Sequence, residues 1–177
     1  YGIRVLPPDI NESEMNFHAV TDRDGCRIRY GLLALRNVGE GMLRAALRER
    51  DSGGKYRSFD DFLNRQAGGD LNKRQIEALI KSGAFDCFPT HRAQMLAVYE
   101  SMLDRKAERN RANLEGQMDM FSLGPGTAPA DTGTVYPQVR PFTTRERLLQ
   151  EREASGMFFS GQLLDDYSRC VGSLSVM

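Results

Sequence analysis

Leu35-Arg36-Asn37-Val38-Gly39-Glu40-Gly41-Met42-Leu43 is the stretch on which the fold of this chain turns. Residues 31–36 before it have the make-up of a short helix. After it, Met42, Leu43, Ala46 and Leu47 recur at helical spacing up to about Arg50, and Ser52-Gly53-Gly54 stops the run. Between them lies a tight bend, Asn37-Val38-Gly39-Glu40-Gly41. Glycine tolerates positive φ, so it permits a reversal too sharp for most side chains. A helix that restarts straight after such a bend leaves its first amides unpaired and pointing outward. With the positive end of the helix dipole, those donors make a site for a phosphate oxygen.

The layout recurs once. Ile76, Leu79 and Ile80 form the apolar face of a helix that ends at a second bend, Ser82-Gly83-Ala84-Phe85-Asp86, and a further helix follows. Val38 and Phe85 are expected to point inward and pin each bend, leaving the neighbouring amides to face out. Arg36, Lys81 and Arg92 lie close enough to add charge-assisted contacts to phosphate. Two such bends suit gripping a duplex backbone, which fixes position without reading bases. The bland alternative is that glycine serves packing alone at an ordinary helical corner.

Outward from the bends, residues 2–6 read as a short strand ended by Pro7-Pro8. Asp22-Arg23-Asp24-Gly25 reads as a hairpin turn between strands at 17–20 and 26–30. Ser58 with Asp61, Asn72 with Gln75, and Thr143 with Glu146 look like helix caps, and Thr90 is expected to cap the long helix after the second bend. On that helix Met95, Leu96, Tyr99, Met102 and Leu103 form a stripe best read as core, and residues 104–111 are expected to project or fray. Residues 122–144 are rich in Gly, Pro and Thr and read as a linker or a loop draped on a neighbour. Gly156 is placed to stop the last helix, and Met157-Phe158-Phe159-Ser160 reads as the first strand of a further β unit.

Composition narrows the classes. The chain has 177 residues, 24 basic and 24 acidic, with no Trp, and a mean hydropathy of −0.49. No stretch approaches the roughly 20 apolar residues of a membrane span. Three dispersed cysteines (Cys26, Cys87, Cys170) and two isolated histidines (His18, His91) support neither a disulfide framework nor a metal site. Reduced thiols point to a cytoplasmic protein. Net charge is zero, yet residues 1–26 carry −3, residues 27–111 carry +6 and residues 112–177 carry −3. The positive block holds both bends, as nucleic-acid contact requires, although a solvated helical surface has the same look. Tyr1 leads straight into a strand-like segment, so the chain reads as a piece of a longer protein.

No reaction centre is visible: there is no nucleophile–base pair, ligand cluster or P-loop. Asp60-Asp61 and Asp165-Asp166 are adjacent carboxylates, but neighbours on a helix diverge, so each pair is a helix-start or surface feature. Gln117-Met118-Asp119-Met120-Phe121 places an apolar pair between a charged helix end and the Gly/Pro-rich stretch. An exposed pair there invites a partner's pocket, with Gln117 anchoring the peptide and Met120 and Phe121 filling the pocket; folding back onto its own domain is the alternative.

Taken together these residues resemble one family. Val5-Leu6-Pro7-Pro8-Asp9-Ile10-Asn11-Glu12-Ser13, and Ile28-Arg29-Tyr30-Gly31-Leu32 running into Arg36-Asn37-Val38-Gly39-Glu40, resemble the end of the fingers domain of the bacterial DNA polymerase III alpha subunit. Leu71-Asn72-Lys73-Arg74 with Glu77-Ala78-Leu79-Ile80-Lys81-Ser82-Gly83-Ala84-Phe85-Asp86 looks like its second helix-hairpin-helix. Gln117-Met118-Asp119-Met120-Phe121 is similar to its internal motif for the sliding clamp. Ser155-Gly156-Met157-Phe158-Phe159-Ser160-Gly161 with Tyr167 looks like the lead-in to its OB-fold. Two departures are Gly161-Gln162-Leu163-Leu164, where the family usually has Gly-His-Pro-Leu, and Met120, where many clamp peptides carry Leu.

The resemblance implies a mainly α fold: a tandem helix-hairpin-helix domain with a small N-terminal β element and an incomplete C-terminal β segment. Its parts are the end of the fingers (1–30), the hairpin domain (31–113), the clamp motif (114–122), a linker (123–142), and a helix with the start of the OB-fold (143–177). It implies a DNA-directed DNA polymerase, a nucleotidyltransferase, whose Mg²⁺-binding catalytic aspartates lie upstream, leaving no catalytic, metal or cofactor site here. DNA-binding residues are then Arg36, Asn37, Val38, Gly39, Glu40 and Gly41 at one hairpin and Lys81, Ser82, Gly83, Ala84, Phe85 and Arg92 at the other. Duplex DNA, the sliding clamp (the beta subunit) and other replisome subunits are the implied partners. A hairpin module of a repair nuclease or helicase, and a protein-interaction scaffold, are the competing readings.

Overall fold

The computed structural model describes residues 4–22, 25–66, 71–116 and 134–161. A three-stranded sheet comes first, with β1 (Val5–Leu6), β2 (His18–Asp22) and β3 (Gly25–Arg29) in the order β1-β3-β2. β2 and β3 pair antiparallel, with His18 opposite Arg29 and Asp22 opposite Gly25; β1 runs parallel to β3, with Val5 opposite Ile28. Five helices follow: α1 (Glu40–Gly53), α2 (Phe59–Arg65), α3 (Lys73–Ser82), α4 (Arg92–Gly116) and α5 (Thr144–Ser155). The fold is thus mainly α with a small N-terminal β element, as expected.

The helices begin where their caps place them. Ser58 Oγ accepts from the Asp61 amide at 3.0 Å, and Asn72–Gln75 and Thr143–Glu146 form reciprocal capping boxes. α3 and α5 end on Gly83 and Gly156, both left-handed. Three details differ from expectation. Residues 31–36 make only a single 3-10 turn, at Leu32–Ala34. Thr90 does not cap α4: the amide of Gln94 donates to the carbonyl of His91 at 3.0 Å and lies 3.4 Å from its Nδ1, so His91 stands at the helix start. Residues 157–160 form no strand, because two of their amides turn back onto Glu151.

Phe59, Phe62 and Phe85 are fully buried at the centre, with the Phe85 ring centroid 5.2 Å from that of Phe59 and 4.9 Å from that of Phe62. Leu43 of α1, Ile76, Leu79 and Ile80 of α3, and Met95 of α4 close around them. Burying each such side chain is worth roughly 1.5–3 kcal/mol before entropy is counted. The Pro-rich N-terminal loop belongs to this core too. Ile10 is fully buried, and buried Arg50 of α1 donates to the carbonyl of Ser13 at 2.6 Å and to Glu14 Oε1 at 3.0 Å. Residues 134–142 have no regular secondary structure and lie against α2 and α4, with a tight turn where the Val139 amide donates to the carbonyl of Pro137 at 3.0 Å. There Tyr136 gives its hydroxyl proton to Asp60 Oδ2 at 2.5 Å, and Gln94 donates to the carbonyl of Pro137 at 3.2 Å.

Candidate nucleic-acid interface

The first bend is open. Val38 is buried and pins it to the core, while Arg36, Asn37, Glu40 and Gly41 are exposed. α1 starts without a side-chain cap. None of the amides of Gly39, Glu40 and Gly41 donates to an acceptor among the described residues. Those donors sit at the positive end of a helix of 14 residues.

Sequence reasoning assigned the left-handed position to glycine, but Asn37 holds it, with φ 60°. Asn is among the few non-glycine residues that visit this region readily. Gly39 has an ordinary extended backbone, and a Cβ there would stand 2.8 Å from Gln75 Nε2. Gly41 is helical, and a Cβ there would meet nothing within 4 Å. The fold has no need of glycine at position 41, where it costs roughly 0.5–1 kcal/mol relative to alanine. What glycine leaves there is bare backbone facing outward.

Beside the open bend is a cleft of about 250 Å³ lined by Asn37, Arg74, Glu77, Ala78, Lys81, Glu153 and Ala154. Lys81, expected at the second bend, faces this cleft instead. Its ammonium lies 2.9 Å from both Glu77 and Glu153. Burial alone would lower its pKa, but the two carboxylates outweigh that and raise it. Lys81 is a half-buried cation held by two carboxylates; Arg74, exposed on the same wall, is in no ion pair among the described residues. Arg36 is anchored through its amide to the carbonyl of Ala154 at 2.8 Å, while its exposed guanidinium has, among the described residues, a single hydrogen bond of 3.5 Å to the carbonyl of Glu153. Arg44 pairs with Glu40 one turn along α1, neutralising the one carboxylate at the bend.

The second bend is closed, against expectation. Ser82, Gly83, Ala84 and Phe85 are all buried. The amide of Gly83 donates to Ile80 at 3.1 Å, that of Ala84 to Leu79 at 3.1 Å, and that of Asp86 to Gly83 at 3.0 Å. These bonds end α3, and they use the donors that a phosphate would need. The carbonyl of Ala84 accepts from Ile10 at 2.8 Å, so the N-terminal loop seals the bend from one side.

Arg92 seals it from the other. Its side chain is 5% exposed, with Nε 2.8 Å from Asp86 Oδ1, Nη2 2.9 Å from Glu151 Oε1 and Nη1 3.2 Å from the carbonyl of Lys81. Arg92 therefore is not available to a phosphate as the sequence suggested. Gly83, at φ 86°, is left-handed, and a Cβ there would collide with the Arg92 guanidinium. The glycine admits an internal cation. Cys87 beside the bend has its thiol pushed up to about 12 by burial and by the Asp9 carboxylate, and so stays protonated.

Residues 2–95 match the family model described as the helix-hairpin-helix motif. The chain belongs to the helix-hairpin-helix family. Its similarity extends beyond that motif. It is 39% identical over 166 residues to the DNA polymerase III subunit alpha of Mycobacterium tuberculosis H37Rv, covering 93% of this chain and 14% of the relative. Identity is 37% over 166 residues to the protein of that name from Vibrio cholerae, and 34% over 166 residues to that of Escherichia coli K12, each covering 94% of this chain and 14% of the relative. The resemblance read from the residues is borne out, and this helix-hairpin-helix chain spans 14% of the length of those relatives.

Among the described residues there is no group of His, Cys, Asp or Glu able to hold a metal ion, and no helix long and apolar enough to cross a membrane. Asp60 and Asp61 are engaged separately, with Tyr136 and with the amide of Arg57. Gln117, Met118, Asp119, Met120 and Phe121 lie outside the described residues, as do Asp165, Asp166 and Cys170. Sequence reading missed the closure of the second bend; Pro7-Pro8-Asp9-Ile10-Asn11 gave an apolar residue in a loop, but nothing to say which bend it would cover.

Proposed function

We propose that this chain is the non-catalytic segment of a cytoplasmic replicative DNA polymerase that holds the backbone of duplex DNA and tethers the enzyme to the sliding clamp. The observation that carries the DNA-holding part is the open first bend: three adjacent unfilled amides at Gly39, Glu40 and Gly41, with no side chain over Gly41. Such a surface takes a phosphate oxygen close to the main chain, and the Arg36 and Arg74 guanidiniums flank it. Binding of this kind ignores sequence and weakens with salt, by about 0.9 in log K per log salt for each phosphate neutralised. The relatives named DNA polymerase III subunit alpha favour a polymerase over a repair nuclease or helicase. The catalytic centre and its Mg²⁺ belong to other parts of such an enzyme.

The tether rests on Gln117-Met118-Asp119-Met120-Phe121. A second attachment of this sort raises the effective concentration of duplex, to the millimolar range for a short flexible linker, so the polymerase slides without leaving. Other replisome subunits are the remaining partners of this reading.

Gly39→Val in the intact protein should weaken binding to every duplex alike at low salt. A loss confined to some sequences, or no loss, would sink the gripping role. Phe121→Ala should cost about 2 kcal/mol or more in clamp affinity, as for a hot-spot anchor; unchanged clamp affinity would remove the tether.

A further inference from the structure

Glu151 is the unexplained group of this fold. It is a carboxylate of 0% exposure on α5, a helix whose other charged residues are half-buried or exposed. Four donors among the described residues meet it. Arg92 Nη2 lies at 2.9 Å from Oε1; the amides of Phe159 and Ser160 lie at 2.7 and 2.9 Å from Oε2; the Ser160 hydroxyl donates to Oε1. The chain can present those two amides because it reverses at Gly156, which is left-handed at φ 79° and bonds back to the carbonyl of Arg152 at 2.9 Å. Phe159 then packs edge-on against Tyr30 at 5.1 Å, and the Tyr30 hydroxyl donates to the carbonyl of Ser155 at 3.0 Å.

We propose that the second bend is a docking socket for the chain's own segment 156–161, with Arg92 holding Glu151 and Glu151 holding the returning backbone. The polar chain runs without a break from Asp86 and the carbonyl of Lys81, through Arg92, to Glu151 and the amides of Phe159 and Ser160. A hairpin whose counterpart meets solvent with open donors here meets the Arg92 guanidinium, which a carboxylate of the same chain holds in place. The socket fixes the direction in which the polypeptide leaves α5, because the Glu151 bonds and the Phe159–Tyr30 contact restrain the segment from two sides. A buried ion pair that lacks either partner leaves an uncompensated charge, whereas a matched apolar pair does not. The fold tolerates the ionic version because each oxygen of Glu151 has two donors.

Hydrogen exchange in the intact protein, read by mass spectrometry on peptides spanning 156–161, tests this. The double variant Arg92→Leu/Glu151→Leu keeps the site apolar and matched. In it, exchange over 156–161 should speed by about tenfold or more, since protection follows local opening, while α1 and the first bend keep theirs and duplex affinity stays within about twofold. Unchanged protection over 156–161 overturns the proposal, and so does a loss of duplex affinity as large as that of Gly39→Val. Ser160→Ala, at an exposed residue, gives a reading that does not depend on refolding a core. It should speed exchange at that segment several-fold, and no change there likewise overturns the socket.

Discussion

Two bends with the same sequence layout have opposite surroundings. At 37–41 the main-chain donors have no partner among the described residues, the left-handed residue is Asn37, and Gly41 leaves bare backbone. At 82–86 the donors close onto α3, the left-handed residue is Gly83, and Arg92 fills the space its missing Cβ provides. The difference teaches that a glycine bend between helices is a local solution to a reversal. Whether it binds a ligand depends on what the rest of the chain lays over it. At the second bend that covering is Ile10 from the N-terminal loop and Glu151 from α5, residues distant in sequence on both sides.

The largest expected difference between the bends is at their arginines. Arg92→Met leaves the buried Glu151 charge without its cation and should destabilise by about 3–5 kcal/mol in urea unfolding. Arg36→Met, at an exposed guanidinium, should move the midpoint by no more than about 0.5 kcal/mol. Equal effects would erase the distinction.

Next come the glycines. Gly83→Ala forces a side chain into a left-handed backbone and against Arg92 and should cost about 1–3 kcal/mol. Gly41→Ala adds a Cβ into open space on a helix and should stabilise by about 0.5–1 kcal/mol while weakening duplex binding. That pairing of higher stability with poorer binding is the sharpest sign that the first bend serves a ligand. If Gly41→Ala binds duplex as well as the unmutated protein, the bare backbone has no such use.

Acid should loosen the second bend. Burial pushes the Glu151 pKa up, but the Ser160 hydroxyl, the amides of Ser160 and Phe159 and the Arg92 guanidinium outweigh it, and the net shift is below 4.5. A lowered folded pKa contributes stability that is full above the unfolded value and is lost as pH falls through the folded one. Unfolding free energy measured from pH 7 downward should therefore hold until about 4.5 and decline below it, less steeply in Glu151→Gln. A decline that begins above pH 5 and survives that substitution would assign the acid sensitivity elsewhere.

The smallest effect separates the flanking charges. Arg36→Gln or Arg74→Gln should each reduce the slope of log K against log salt by about 0.9 if it meets one phosphate, with no change in unfolding midpoint. Lys81, held between Glu77 and Glu153, should leave the slope unchanged when replaced by Met.

Local chemistry was legible in the chain itself. Cap pairs such as Asn72–Gln75 and Thr143–Glu146, the stops at Gly83 and Gly156, the β2–β3 hairpin and the inward Val38 and Phe85 all follow from rules acting over a few residues, and the structure has them. So was the family, through the combined motifs. What the sequence left open were contacts between distant segments: Lys81 turned toward the first bend, Arg92 turned inward, and Ile10 over Ala84. Two bends identical by local rule became one exposed and one sealed because packing, which sums over residues remote in sequence, decided which amides had a partner. Propensity and capping are local free energies and can be read along the chain; the burial of an ion pair depends on where two helices meet, and only the tertiary structure fixes that.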